Sequence, residues 1–398
     1  MTPSISSRDR MLAALECREP DHVPCSFMLF NALRQKCSDQ FRFVERQLAL
    51  GLDATVGLPI RSAQRQRDLS EQGDLHGLPV RWQPEVTIRE WREEHAGERY
   101  PLLHREYATP AGRLHTSVSK TDDWTHGDRV PLFDDFVIPR ARERLVTGTG
   151  DLPALQHLLT PPTQNDVATF REGAQAGKAF AAKHALLTVG EWGVGWDAAC
   201  WLCGIEPLVL AALDNPEFVQ ALVELIGDWN RRRMAIVLEA GVDLYLRRAW
   251  YEGADFLSPR LYRRFVLPQL KQDAELAHQA GAKLACIMTA GYVPLLDLLL
   301  ESGVDALIGL DPVQDHRADF ALTKGKLGGK VCLWGGVNGF VTMERGTPAE
   351  VRQAVKDAVT VLAPGGGFIL SPVDNVTVDT ERVWENVDAL IEEWRATW

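Results

Sequence analysis

The chain has 398 residues and is 45% hydrophobic, enough for a large core without disulfide or metal staples. Its 43 Lys and Arg against 54 Asp and Glu give a formal charge of −11, a poor match to nucleic acid or an anionic membrane. Apolar runs fall far short of the ~20 residues of a spanning helix, residues 1–10 lack an apolar signal core, and seven scattered cysteines suit a reducing cytoplasm, the expected location.

In chain order, short apolar runs occupy 23–29, 54–58, 185–189, 244–246, 284–288, 306–310, 331–334 and 367–370. Continuous apolar runs read as parallel strands buried on both faces, and amphipathic stretches at 208–225, 259–279 and 292–302 read as the helices between them. Eight strands alternating with helices predict an α/β fold, a distorted (β/α)8 TIM barrel, with a doubly wound open sheet as its competitor. Between the second and third runs, two β-rich stretches flank Thr109, Pro110, Ala111 and Gly112, which reads as a hairpin turn. That segment is expected as an insertion capping the barrel mouth, at about 86–160, within one domain spanning 1–398. Ser258 before Pro259 starts one helix. Thr347, Pro348 and Glu350 form a capping box that starts another, reaching residue 362.

Barrel enzymes carry their reactive groups where strands end and loops converge. That rule selects Met28 and Asn31, then Glu191 and Trp192 with Trp196 and Asp197, then Arg247, Arg248, Trp250, Tyr251 and Glu252. Further along it selects Thr289, then Asp311 with His316, then Trp334 and Asn338, then Asp374 and Asn375. The tryptophans either wall a flat organic ligand or fill the upper barrel layer. Glu252 is either a general acid with a raised pKa or an ion-pair partner of Arg247 or Arg248. Asp311, before Pro312, reads foremost as a loop cap. Cys200 and Cys203 form a CxxC with no second pair at ligand spacing, so they read as neighbours on a buried helix face. Cys286 and Cys332 read as core, no metal-ligand set is predicted, and there is no phosphate loop or GxSxG.

A longer ordered series resembles one family. Arg8-Asp9-Arg10-Met11-Leu12-Ala13-Ala14-Leu15 precedes Glu19-Pro20-Asp21-His22-Val23-Pro24. The series continues through Thr109-Pro110-Ala111-Gly112, Leu257-Ser258-Pro259 with Pro268, and Gly303-Val304-Asp305-Ala306. It ends with Gly335-Gly336-Val337-Asn338, Gly346-Thr347-Pro348 and Gly365-Gly366-Gly367-Phe368-Ile369-Leu370. Together these resemble the uroporphyrinogen decarboxylase superfamily, which implies a distorted barrel with a deep cleft at its C-terminal face. The resemblance implies one of two chemistries: decarboxylation of a tetrapyrrole without a cofactor, or methyl transfer to or from a corrinoid on a partner protein.

The decarboxylase pattern is incomplete here. Its Arg-Gln-Ala-Gly-Arg-Tyr run after the first strand is replaced by residues 28–35, leaving a displaced Arg34 and Gln35. The position of its Asp falls on Pro59 or Ile60, and its Tyr has no counterpart within 191–199. The zinc ligands of thiol-methylating relatives fall on Ile287, Thr289 and 373–375, so zinc at that His-x-Cys motif is not expected, while ligands such as Glu252 and Asp374 stay open. The resemblance therefore favours demethylation of a small organic donor, the methyl passing to cobalamin on a corrinoid protein, with Glu252 or Asp374 as acid and no tightly bound cofactor. The alternatives are a decarboxylase of a tetrapyrrole or other acid, and a non-catalytic binding protein; a homodimer is left open.

Overall fold

A computed structural model describes residues 5–60, 74–75 and 77–398. The strands in chain order are β1 (Thr55–Leu58), β2 (Asp74–Leu75), β3 (Leu78–Pro79), β4 (Thr87–Glu93), β5 (Leu102–Thr109), β6 (Gly112–Ser119) and β7 (Ala141–Glu143). They continue with β8 (Leu187–Gly193), β9 (Leu244–Arg248), β10 (Lys283–Ile287), β11 (Ala306–Leu310), β12 (Cys332–Asn338) and β13 (Phe368–Val373). A curled parallel sheet runs β1-β8-β9-β10-β11-β12-β13. Helices return the chain between successive strands, so the fold is a distorted (β/α)8 barrel.

Seven of the eight apolar runs are strands of this sheet. The run at 23–29 is not a regular strand. It makes isolated parallel bridges, Cys25 with Leu370 and Leu29 with Asn375, and Leu370 N–H donates to the Pro24 carbonyl (2.9 Å). On its other side Asp53 N–H donates to the Cys25 carbonyl (2.8 Å), so the segment closes the ring between β13 and β1. Pro24 offers no donor, and the Cys25 N–H goes to the Asp53 carboxylate (3.1 Å), so a regular ladder does not form.

The barrel interior is filled by Leu187, Val189, Leu244, Ala285, Ile287, Ala306, Ile308, Cys332, Trp334 and Ile369. Met11, Ala14 and Leu15 of the helix Ser7–Leu15 join them, and Trp192 and Trp250 pack against the same cluster. A second apolar layer lies between the strands and the surrounding helices. The stretch read as one helix at 208–225 is two, Ile205–Asp214 and Pro216–Glu239. Pro216 cannot continue a helix but suits the first position of the next, and the Asn215 side chain accepts from Phe218 N–H to cap it. The capping box at Thr347 is formed and opens Pro348–Leu362.

The hairpin about Pro110 is present, with Thr109 paired to Gly112. It belongs to a larger antiparallel sheet, β4-β5-β6-β7. One face of that sheet buries Leu103 and Val118 against Trp124, Val130 and Val137. Among the described residues, no single helix is long and apolar enough to cross a membrane.

Candidate active site

A cleft of about 480 Å³ opens at the C-terminal ends of the first strands. Gly57 and Leu58 of β1, Glu191 and Trp192 of β8 and Arg248 of β9 form one side. Residues 27–31 and the two helices that follow, Asn31–Arg34 and Gln40–Ala49, form the other, contributing Arg34, Ser38, Asp39, Gln40, Phe43 and Gln47. The Gln40 side-chain amide donates to the Gly57 carbonyl (2.7 Å), tying the second helix to the strand end.

Successive strand residues point to opposite faces, and the two arginines ending β9 separate accordingly. Arg248 turns to the mouth. Its Nε donates to Asp197 (2.7 Å) and its Nη2 to both oxygens of Asp135 (3.0 and 3.1 Å). The guanidinium lies 4.5 Å from the Trp201 ring centre and 4.4 Å from that of Trp250, and Trp250 stacks on Trp192 at 5.2 Å. Burial works against this cation, but Asp197 and Asp135 outweigh it and hold its pKa above the ordinary value. Asp197 is fully buried and also accepts from the N–H groups of Trp250 (3.2 Å) and Tyr251 (2.9 Å). Asp135 also accepts from Tyr251 Oη and Trp201 Nε1, each at 2.8 Å. Burial and the Asp135 carboxylate push the Tyr251 phenol up. Glu191 accepts from the neighbouring Trp192 Nε1 (3.0 Å) at the cleft edge.

Arg247 turns the other way, into a buried cluster, and takes Glu252 with it. Its Nη1 and Nη2 donate to the two Glu252 oxygens (2.7 and 2.9 Å), and its Nε donates to Asp273 (3.0 Å). Glu252 is 0% exposed and accepts a further bond from Trp196 N–H (3.0 Å). Burial pushes its carboxyl up and Arg247 opposes the shift. The general-acid reading of Glu252 is therefore corrected: among the described residues it is an ion-pair partner and does not line the cleft. The packing that fixes this is tight, since a Cβ at Gly195 would lie 2.0 Å from Arg247 Nη2.

Asn31, Glu191, Trp192 and Arg248 line the cleft, and Trp250 and Tyr251 stand behind them. Trp196 does not join this wall; it opens a buried helix and packs on Phe265. Trp334 fills the barrel interior, its Nε1 donating to the Ser26 carbonyl (2.9 Å). Asp311 is a loop cap, accepting from the N–H groups of Val313 and Gln314 (2.8 and 2.9 Å) and from Asn338 Nδ2 (2.6 Å). Asn338 in turn caps the turn of helix that follows β12. Thr289 is buried and His316 is exposed on its loop. None of these six lines the cleft, because capping and core packing use their side chains or their loops turn outward.

Asp374 sits at the mouth with a left-handed backbone (φ 64°). Surrounding protein, then Asp311 and Glu344, push its carboxyl up, but the residue is exposed and is not among those lining the cleft. Its neighbour Asn375 accepts from Asn31 N–H (3.2 Å), joining the last strand to the cleft floor. Ile287 and Thr289, where the resemblance would put zinc ligands, carry neither thiolate nor imidazole, and Ile287 is a barrel-core residue.

Arg34, Gln40, Gln47 and Asp135 were not anticipated. A signal existed for Arg34, the displaced arginine following the first strand. Asp135 comes from the connection between β6 and β7, which no strand-end rule reaches. The assembled cleft sets two carboxylates, Asp39 and Glu191, and two guanidiniums, Arg34 and Arg248, beside an aromatic wall, so it suits a small planar ligand carrying polar groups.

The sequence profile described as Uroporphyrinogen decarboxylase (URO-D) matches residues 154–397. No curated protein matches the sequence. A solved structure titled methyltransferase from Methanosarcina mazei aligns over 98% of this chain and 99% of its own, with a TM-score of 0.59 and 16% identity. A B12-independent methionine synthase from Shewanella sp. W3-18-1 aligns over 56% of this chain and 65% of its own (TM-score 0.39, 13% identity). A 3-keto-D-glucoside 4-epimerase from E. coli aligns over 57% and 85% (TM-score 0.35, 11% identity).

Proposed function

The chain belongs to the uroporphyrinogen decarboxylase family, and from that premise we propose that it demethylates a small planar organic donor, passing the methyl group to a corrinoid carried by a partner protein. The observation that carries this reading is Glu191 beside Trp192 in one cleft, with Trp250 stacked behind Trp192. The fold shared end to end with a protein titled methyltransferase supports it.

In this reading the corrinoid is the acceptor substrate, supplying the electron pair of the new bond to methyl. When the donor is a methyl ether, the carbon–oxygen pair stays on oxygen, and that oxygen needs a proton. Glu191, at the cleft edge, is the residue placed to deliver it. Trp192 stacks on the donor ring, and Arg34 and Arg248 hydrogen-bond a polar group on it. Asp197 and Asp135 fix Arg248 so that little side-chain entropy is lost on binding. No step runs through zinc.

A second reading, decarboxylation of an organic acid, draws on the two cleft guanidiniums, which match a substrate carboxylate. One assay separates the two. Purified protein is given a panel of methoxylated aromatic acids with chemically reduced cobalamin, and methylcobalamin and released CO2 are both followed. Methyl transfer predicts methylcobalamin formation, with Glu191→Gln slower by roughly 10²–10⁴. CO2 release independent of cobalamin supports decarboxylation, and ligand binding without either product supports a non-catalytic role.

A further inference from the structure

The outer face of the antiparallel sheet carries a cluster that the cleft does not use. Cross-strand pairing sets Trp91 opposite His104, His104 opposite Ser117, and Ser117 opposite Glu143, with His115 two residues along β6. His104 Nδ1 and His115 Nε2 face each other at 3.2 Å. The opposite nitrogen of each ring stands 3.3 Å from a carboxylate, His104 Nε2 from Glu93 and His115 Nδ1 from Glu143. Trp91 stacks on both imidazoles, 4.7 Å from His104 at 0° and 5.3 Å from His115 at 13°.

A neutral imidazole has one N–H. With one tautomer pair one ring donates its N–H to the other; with the N–H groups on the outer nitrogens two lone pairs meet at 3.2 Å, an arrangement that a bound cation stabilises. Two nitrogens bound to zinc at ~2.0–2.1 Å in tetrahedral geometry stand about 3.3 Å apart, close to the observed separation.

We propose that His104, His115 and Glu143 form a site for a divalent transition-metal cation of the zinc class. One donor atom from each of the three lies within 4.8 Å of the others. Two imidazoles and a carboxylate select zinc, nickel or cobalt over calcium or magnesium. Glu93 lies 3.3 Å from the other nitrogen of His104, on the side where outer carboxylates support metal-bound histidines. His115 and Glu143 are partly exposed, which gives an ion a way in. The ion would join β5, β6 and the three-residue β7, and so hold both ends of the connection that carries Asp135 to Arg248.

The experiment uses full-length protein stripped with a chelator, titrated with Zn²⁺ alone by calorimetry and followed by thermal melting. The expected result is one equivalent bound, a rise in melting temperature, and a loss of affinity of at least ~10-fold in His115→Gln and again in Glu143→Gln. Both side chains are partly exposed, so the variants are expected to fold, and near-UV circular dichroism checks that. No binding at about 100 μM Zn²⁺, far above the apparent affinities of structural sites, overturns the proposal. So does zinc uptake that neither substitution weakens.

Discussion

Glu191 and Glu252 are both strand-end glutamates beside tryptophan and close to glycine, and the structure gives them opposite surroundings. Glu191 borders the cleft, whereas Glu252 shares Arg247 with Asp273 in a buried cluster. Removing one partner of a buried pair leaves the other charge uncompensated and commonly costs about 3–5 kcal/mol. Glu252→Gln is therefore expected to lower unfolding free energy by about 3 kcal/mol in urea titrations, with turnover per folded molecule within a few-fold. Glu191→Gln should show the reverse, near-native stability with turnover lost. Strand alternation already implied that only one of Arg247 and Arg248 shares the mouth. Which one could not be read, because it depends on Gly195 and Asp273, distant in sequence, that complete the pocket around Arg247.

The helix Gln164–His184 shows what a local signal does and does not reveal. Thr163 and Asp166 form a capping box, and Asp166 also accepts from Arg81 at 2.7 and 3.0 Å, linking the helix to a distant segment. Burial works to raise the Asp166 carboxyl, but bonds from Arg81 and Thr163 outweigh it and hold its pKa at about 2. A carboxyl held below its ordinary 3.8 contributes stability above about pH 4 and loses it as pH falls towards 2. Asp166→Asn is expected to cost about 1–2 kcal/mol at neutral pH, as lost caps do. Its melting temperature should converge on that of the parent protein between pH 4 and 2; a constant gap would refute the linkage. The cap at Thr347 was legible because Pro348 and an amphipathic run follow it. The stretch after Thr163 is rich in Ala and Gly with few large apolar residues, so its periodicity is faint.

At the scale of the molecule, the parallel strands were legible because burial on both faces leaves a continuous apolar run. The exception was the first, where Pro24 and the Asp53 carboxylate replace the ladder. That closure rests on Arg10, whose guanidinium donates to Asp53 (2.6 Å) and to Asp21 (2.7 and 3.0 Å). The arginine of the opening motif thus holds the barrel shut instead of meeting a ligand. Asp53→Asn is expected to cost about 3 kcal/mol in denaturant titrations. It should also weaken ligand binding, since residues 27–31 line the cleft; unchanged affinity would separate closure from the site. The seam has a further consequence for synthesis. Pro24 is made well before its partner Leu370, which follows 370 − 24 = 346 residues later. At about 5–20 residues per second, the first segment waits on the order of half a minute beside unpaired strands. During translation the nascent barrel is thus an open sheet with two bare edges, at β1 and at the newest strand, and that interval is when chaperone binding or aggregation should be greatest.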